Sequence, residues 1–90
     1  MLFEWDAGKR LSNLEKHGFD FLRARRISDG RPRLDVESPR GDENRILSIA
    51  ILDDKFITVA WMQRHEGVVR IISVRRARHG EERQYRQLHG

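Results

Sequence analysis

Cysteine is absent from this 90-residue chain, which excludes disulfide staples and thiolate metal sites. Long apolar runs are absent too. No stretch approaches the roughly 20 residues that span a bilayer, and the opening M-L-F-E-W-D puts acids where a signal peptide needs a basic and then an apolar segment. A cytosolic, cytoplasmic chain with no membrane contact is therefore expected. The usual catalytic templates are also missing: there is no G-x-S-x-G elbow, no phosphate-binding glycine loop and no H-E-x-x-H. His17, His65, His79 and His89 stand without ligand spacing. Paired acids at Asp42-Glu43, Asp53-Asp54 and Glu81-Glu82 suit solvated turns or the first turn of a helix, so neither a metal nor another cofactor is expected. There is no internal repeat and no low-complexity tract.

Ninety residues allow one domain, spanning 1–90, that buries about two thirds of the surface its unfolded chain exposes. Any site must then be a shallow groove on a sheet or helix face. What the chain has in abundance is arginine, which makes up fifteen of its eighteen cations against fourteen acids, for a net charge of +4. The planar guanidinium fork binds phosphate at two points and stacks on bases. A solvated arginine-rich face accounts for the composition equally well.

The densest stretch is V-V-R-I-I-S-V-R-R-A-R-H-G-E-E-R-Q-Y, residues 68–85. Its β-branched run reads as a buried strand interrupted by Arg70, followed by Arg75, Arg76 and Arg78 and then a charged helix with Tyr85 and Leu88 on one side. From Arg64 to Arg86 seven arginines face three glutamates, the first place to seek an anionic ligand.

In chain order, Met1–Trp5 suits a strand at a sheet edge or beside the later strands. Asp6 then caps a helix whose Leu11 and Leu14 fall at helical spacing, with Lys16 and His17 in its last turn and Gly18 ending it. Residues 19–27 form a second short helix with Phe19, Leu22 and Ile27 inward and Arg23, Arg25 and Arg26 outward. Residues 28–44 read as a polar, mobile segment punctuated by Gly30, Pro32, Pro39 and Gly41, with a brief strand at 34–37. Residues 45–52, 56–63 and 68–75 form an antiparallel three-stranded meander through short turns. In the middle strand Ile57, Val59 and Trp61 share one face and Phe56, Thr58, Ala60 and Met62 the other, so both faces are covered in part.

Arg45, Arg64, Arg70 and Arg75 lie in or at the ends of strands, where guanidinium groups converging on one phosphodiester would stabilise charge developing on it. Cross-strand pairing with Glu43, Glu66 or Glu81 is their structural alternative. Lys9 and His17, eight residues apart, fall near one helix face. His17 either moves a proton near neutral pH or caps its helix. Trp5 and Trp61 suit a core or base stacking, and Tyr85 suits helix packing or a phosphate contact.

Taken together, Phe3-Glu4-Trp5-Asp6, Lys9, Asn13, Lys16-His17-Gly18, Glu43, Arg45, Arg70-Ile71-Ile72-Ser73, Arg75, Glu81 and Tyr85 resemble, in order and spacing, the BrnT family of type II toxin-antitoxin systems. The likeness breaks at Gly30, Met62, Val74 and Glu82. It implies an α+β, RelE-like fold: N-terminal helices packed on an antiparallel β-sheet, a three-stranded meander plus an N-terminal strand, with a short C-terminal helix. It implies a metal-independent endoribonuclease acting on messenger RNA and arresting growth. The partners it implies are an RNA substrate and a BrnA-like ribbon-helix-helix antitoxin in a 2:2 heterotetramer, which reaches operator DNA through the antitoxin. By the same resemblance His17, Glu43, Arg64 and Arg75 are the catalytic set, with Arg64 and Arg75 on the phosphate and His17 or Glu43 moving the proton. Lys9, Arg45, Arg70 and Tyr85 bind RNA. The alternative is a non-catalytic nucleic-acid-binding or protein-interaction subunit, a co-repressor of the same kind of complex.

Overall fold

A computed structural model describes residues 2–90; Met1, expected to open the first strand, lies outside them. The elements are β1 (Leu2–Glu4), α1 (Ala7–His17), α2 (Phe21–Ala24) running into a 3₁₀ turn (Arg25–Ser28), β2 (Arg33–Arg40), β3 (Glu43–Leu52), β4 (Lys55–His65), β5 (Val68–Arg76) and α3 (His79–His89). The sheet is five-stranded, in the order β1-β5-β4-β3-β2.

Two corrections to the expected α+β architecture follow. The meander has four strands, because residues 33–40 pair with β3 along their whole length, from Arg33↔Ala50 to Arg40↔Glu43. Proline does not prevent this, since β2 is the sheet edge and Pro39 has no outer neighbour to bond. The sheet is also mixed, because β1 runs parallel to β5. The chain crosses over through both N-terminal helices before returning to the sheet, so β1 need not be antiparallel to its neighbour.

One sheet face carries the core, in which Phe21, Ala24 and Ile27 cover Ala50, Leu52, Ile57, Val59, Ile71 and Val74. The inward residues recur every third position because α2 tightens into a 3₁₀ turn, whose period is three. Phe21 therefore fills the place expected of Leu22, which is exposed. Trp5 meets Phe21 edge to face at 6.3 Å. The Trp61 indole donates to Ser48 Oγ, whose hydroxyl donates to Asp35. On the opposite face α3 packs on the sheet, with Tyr85 edge-on to Phe56 at 5.3 Å.

The β3–β4 turn is strained. Asp53 and Asp54 both sit at positive φ, 52° and 65°, the geometry of a two-residue hairpin that glycine adopts freely. Asp53 has a reason to be there, since its carboxylate holds Arg23 at 3.0 Å and Arg26 at 3.2 Å. No partner of Asp54 compensates in the same way. Asp54→Gly is expected to stabilise the fold by about 0.5–1 kcal/mol, read as a higher urea midpoint at unchanged m-value; a lower midpoint would show that the Asp54 side chain is needed.

Candidate active site

Helix α1 is delimited by its sequence. The Asp6 carboxylate accepts from the Lys9 N–H at 3.0 Å, and Gly18, at φ 76°, returns its N–H to the Leu14 carbonyl. The face this helix turns inward is not the expected one. Leu11 and Leu14 are 66% and 42% exposed, while the buried residue is Asn13. Its carboxamide donates to the Val74 carbonyl at 2.9 Å and to the Phe19 carbonyl at 3.0 Å, and accepts from the Val74 N–H at 3.0 Å. The reason lies in the sheet. β1 pairs with β5 only from Val68 to Arg70, so beyond Arg70 the β5 edge has unpaired backbone groups. Asn13 presents a donor and an acceptor side by side, as a neighbouring strand would, and seals that edge.

Docked this way, α1 leaves an open groove against β5, lined by Lys9, Ser12, Asn13, Glu15, Lys16, His17, Ile72 and Ser73, two cations to one carboxylate. Consecutive strand residues normally point to opposite faces. Here the register passes from Ala60↔Ser73 to Trp61↔Ile71 and leaves Ile72 unpaired, a bulge that lets Ile72 and Ser73 both face the groove. The expected meeting of Lys9 and His17 on one helix face is thus realised, with Ser12, Lys16 and Ser73 added. Asn13 and Ser73 belong to the motif read from the sequence, but nothing in their local pattern marks what they touch.

The four sheet arginines expected at the site, Arg45, Arg64, Arg70 and Arg75, are all engaged. A second bulge leaves Arg64 without a β5 partner, and its Nε lies 3.1 Å from Glu4 Oε1. Arg70 approaches the same oxygen at 3.7 Å. The partner is therefore Glu4 of β1 rather than the expected Glu66. This oxygen is buried and makes no aligned hydrogen bond, so the contact is Coulombic rather than directional. Arg70 also acts on Asp6: the Lys9 N–H does most to hold that carboxyl low, with Arg70 contributing from a distance. Arg70 is the register partner of Glu4, two residues before Asp6, and so stands by the start of α1. Arg45 pairs with Glu43 at 2.8 Å and shares one row across the sheet with Met62, Arg70 and Glu4. Nothing brings Glu43 to the groove.

Two expected site residues do other work. Arg75 donates through both terminal nitrogens to the two Glu81 oxygens, at 2.8 and 2.9 Å. Glu81 also accepts from Thr58 at 2.9 Å and from the Arg78 N–H at 2.8 Å. Burial pushes the Glu81 carboxyl up, but the Arg75, Arg78 and Thr58 hydrogen bonds prevail and hold it at about 2. Tyr85 is buried between Phe56 and His89. Arg75 and Tyr85 fasten α3 to the sheet, and the Tyr85 ring is not available for stacking.

A family model described as the ribonuclease toxin BrnT of type II toxin-antitoxin systems matches residues 5–81. The chain belongs to this BrnT family of toxins. A crystal structure of the Brucella abortus ribonuclease toxin BrnT is similar in fold, with a TM-score of 0.64 at 24% identity over 87% of this chain and 99% of that one. A search of curated proteins by sequence returned no match. Among the described residues no helix is long and apolar enough to cross a membrane, and no three His, Asp or Glu side chains group as metal ligands.

Proposed function

We propose that this chain is itself an endoribonuclease that cleaves RNA without a metal, in the cytoplasm, in the groove between α1 and β5. The observation that carries the reading is the grouping of His17 with Lys9, Lys16 and Ser73 in one open groove. Cleavage of this kind needs a base to take the 2′-hydroxyl proton as that oxygen attacks the adjacent phosphorus. It also needs cations on the phosphoryl oxygens and a proton for the departing 5′-oxygen. His17 supplies the imidazole there, whose two ring nitrogens can take a proton and give one. Lys9 and Lys16 make no ion pair with a carboxylate among the described residues and supply the cations. Arg64 and Arg70 support them, because their unaligned hold on Glu4 leaves N–H donors for a phosphate. Arg45 extends the contact along the row it shares with Arg70, and Glu43 orients Arg45.

The test is cleavage of single-stranded RNA in the presence of a chelator. Wild type should give fragments with 5′-hydroxyl ends, and His17→Gln should cut about a hundredfold more slowly. His65→Gln, an exposed histidine at the far end of β4, should cut as wild type does. Intact RNA with wild-type protein would favour the non-catalytic reading, in which the cations only hold phosphate. Inside the cell the same reading requires growth arrest on induction. A BrnA-like ribbon-helix-helix antitoxin should relieve that arrest, and its own dimerisation would make a two-plus-two complex.

A further inference from the structure

Among the described residues nine of the fifteen arginines are ion-paired: Arg10, Arg23, Arg26, Arg31, Arg33, Arg45, Arg64, Arg70 and Arg75. The six without a carboxylate partner are Arg25, Arg40, Arg76, Arg78, Arg83 and Arg86. Four of these six fall within the eleven positions from 76 to 86, all exposed. The arginine-dense C-terminal stretch is thus divided by the fold. Arg64, Arg70 and Arg75 are ion-paired on the sheet, whereas Arg76 and Arg78 leave β5 uncompensated and Arg83 and Arg86 stand one helical turn apart on α3. The nearby acids do little to offset them. Glu81 is held by Arg75, Thr58 and the Arg78 N–H, and Glu82 lies 3.7 Å from His79. Arg86 rests over the Phe56 ring at 4.8 Å, which fixes the guanidinium plane while its edge keeps its donors.

We infer that Arg76, Arg78, Arg83 and Arg86 form a second RNA-binding surface, which holds the phosphodiester backbone of the strand whose scissile phosphate lies in the α1–β5 groove. The inference rests on the cleavage reading above and adds to it a preference for long substrates. Four uncompensated guanidiniums repel one another, and a polyanion relieves that repulsion. Ser73 in the groove and Arg76 are three residues apart on one strand, about 10 Å, with side chains on opposite faces, so the RNA backbone passes round the end of β5, where Arg76 and then Arg78 lead into α3. A backbone held along such a track is recognised by charge, without base readout.

The test measures binding of a 20-nucleotide single-stranded RNA and of a trinucleotide, in a His17→Gln background so that neither is consumed. Arg83→Gln with Arg86→Gln should weaken the 20-mer about tenfold at physiological salt and flatten its log–log salt slope by about 1.4, two phosphate contacts on a single strand. Trinucleotide affinity should not change. The control removes the same charge elsewhere, by Arg25→Gln with Arg40→Gln, and should shift 20-mer affinity less than twofold. Equal losses from both pairs, or none from the α3 pair, would overturn the inference. RNA that is bound through α3 but never cut by wild type would sink the nuclease reading and leave this surface standing; cleavage with affinity indifferent to Arg83 and Arg86 would do the reverse.

Discussion

Glu81→Gln should destabilise the folded chain by about 3 kcal/mol at neutral pH, the low end of the cost of breaking a buried ion pair from one side. The Glu81 side chain is 15% exposed and Arg75 22%, so both charges have given up most of their water. One carboxylate collects four hydrogen bonds, two from Arg75 and one each from Thr58 and the Arg78 N–H. An amide in the same place turns one oxygen into a donor facing a guanidinium, leaving Arg75 half-buried without a counter-charge. Because the node joins β4, β5 and the start of α3, its loss loosens the helix that shields Ile49 and Thr58. In a chain of this size the melting temperature should fall by more than about 10 °C.

The pH dependence isolates the cause. A carboxyl held at about 2 in the folded chain, against an ordinary value of 4.5, contributes its full stabilisation above pH 4.5. That contribution declines as the pH falls and is lost once the pH has passed through the folded value. Asp20, held at about 2 chiefly by Arg10, makes wild type acid-sensitive too. The informative quantity is therefore the difference between wild type and Glu81→Gln, which should shrink between pH 4.5 and 2. A difference that stays constant over that range, or a variant as stable as wild type at pH 7, would remove the node from the account of how α3 is held. Arg75→Met with Glu81→Leu and Thr58→Val should recover much of the loss, since apolar groups of similar volume require no counter-charge and no buried hydroxyl is left without its acceptor.

These contacts also show where the sequence was readable. Local chemistry survived into the structure: Asp6 and Gly18 bound α1 as caps must, and the β-branched runs of β3, β4 and β5 pair in the expected meander. Pairing that depends on distant residues did not show. Nothing in residues 33–40, which hold Pro39 and lie between Gly30 and Gly41, reveals that β3 will template them along their length, and Phe3 with Glu4 carries no sign of parallel pairing. The sheet arginines read correctly as candidates for ion pairs, but the partner of Arg64 and Arg70 is Glu4, some sixty residues away in the chain. Arg75 and Tyr85 look like ligand-binding residues because guanidinium and phenol serve anions and helix packing alike, and burial decides which. Leu11 and Leu14 misled for a related reason. Helical spacing of leucines says which side of a helix is apolar, but not that a polar side chain is needed elsewhere to close a sheet edge.

Asn13→Leu puts that last point to the test, with an expected cost of about 3–5 kcal/mol. The substitution keeps the number and branching of side-chain heavy atoms and replaces a residue flanked by exposed leucines with a better helix former, so propensity alone would favour it. The expected loss comes chiefly from the carbonyls of Val74 and Phe19 and the Val74 N–H, with the greater bulk of leucine at a buried position adding to it. All three lose their partners in the interior, at about 1–3 kcal/mol for each group left unsatisfied. Hydrogen exchange at the Val74 amide should accelerate by more than the change in global stability explains, because α1 lifts from β5 before the sheet opens. The same motion widens the groove, which Asn13 itself helps to line, and carries His17 and Lys9 away from Ser73, so the RNA cleavage proposed for this groove should fall as well. Asn13→Asp separates the two directions of bonding: the carboxylate still accepts from the Val74 N–H but repels both carbonyls, so it too should destabilise. If Asn13→Leu melts within about 1 kcal/mol of wild type, α1 is held by its other contacts, and the edge-sealing role of the carboxamide falls.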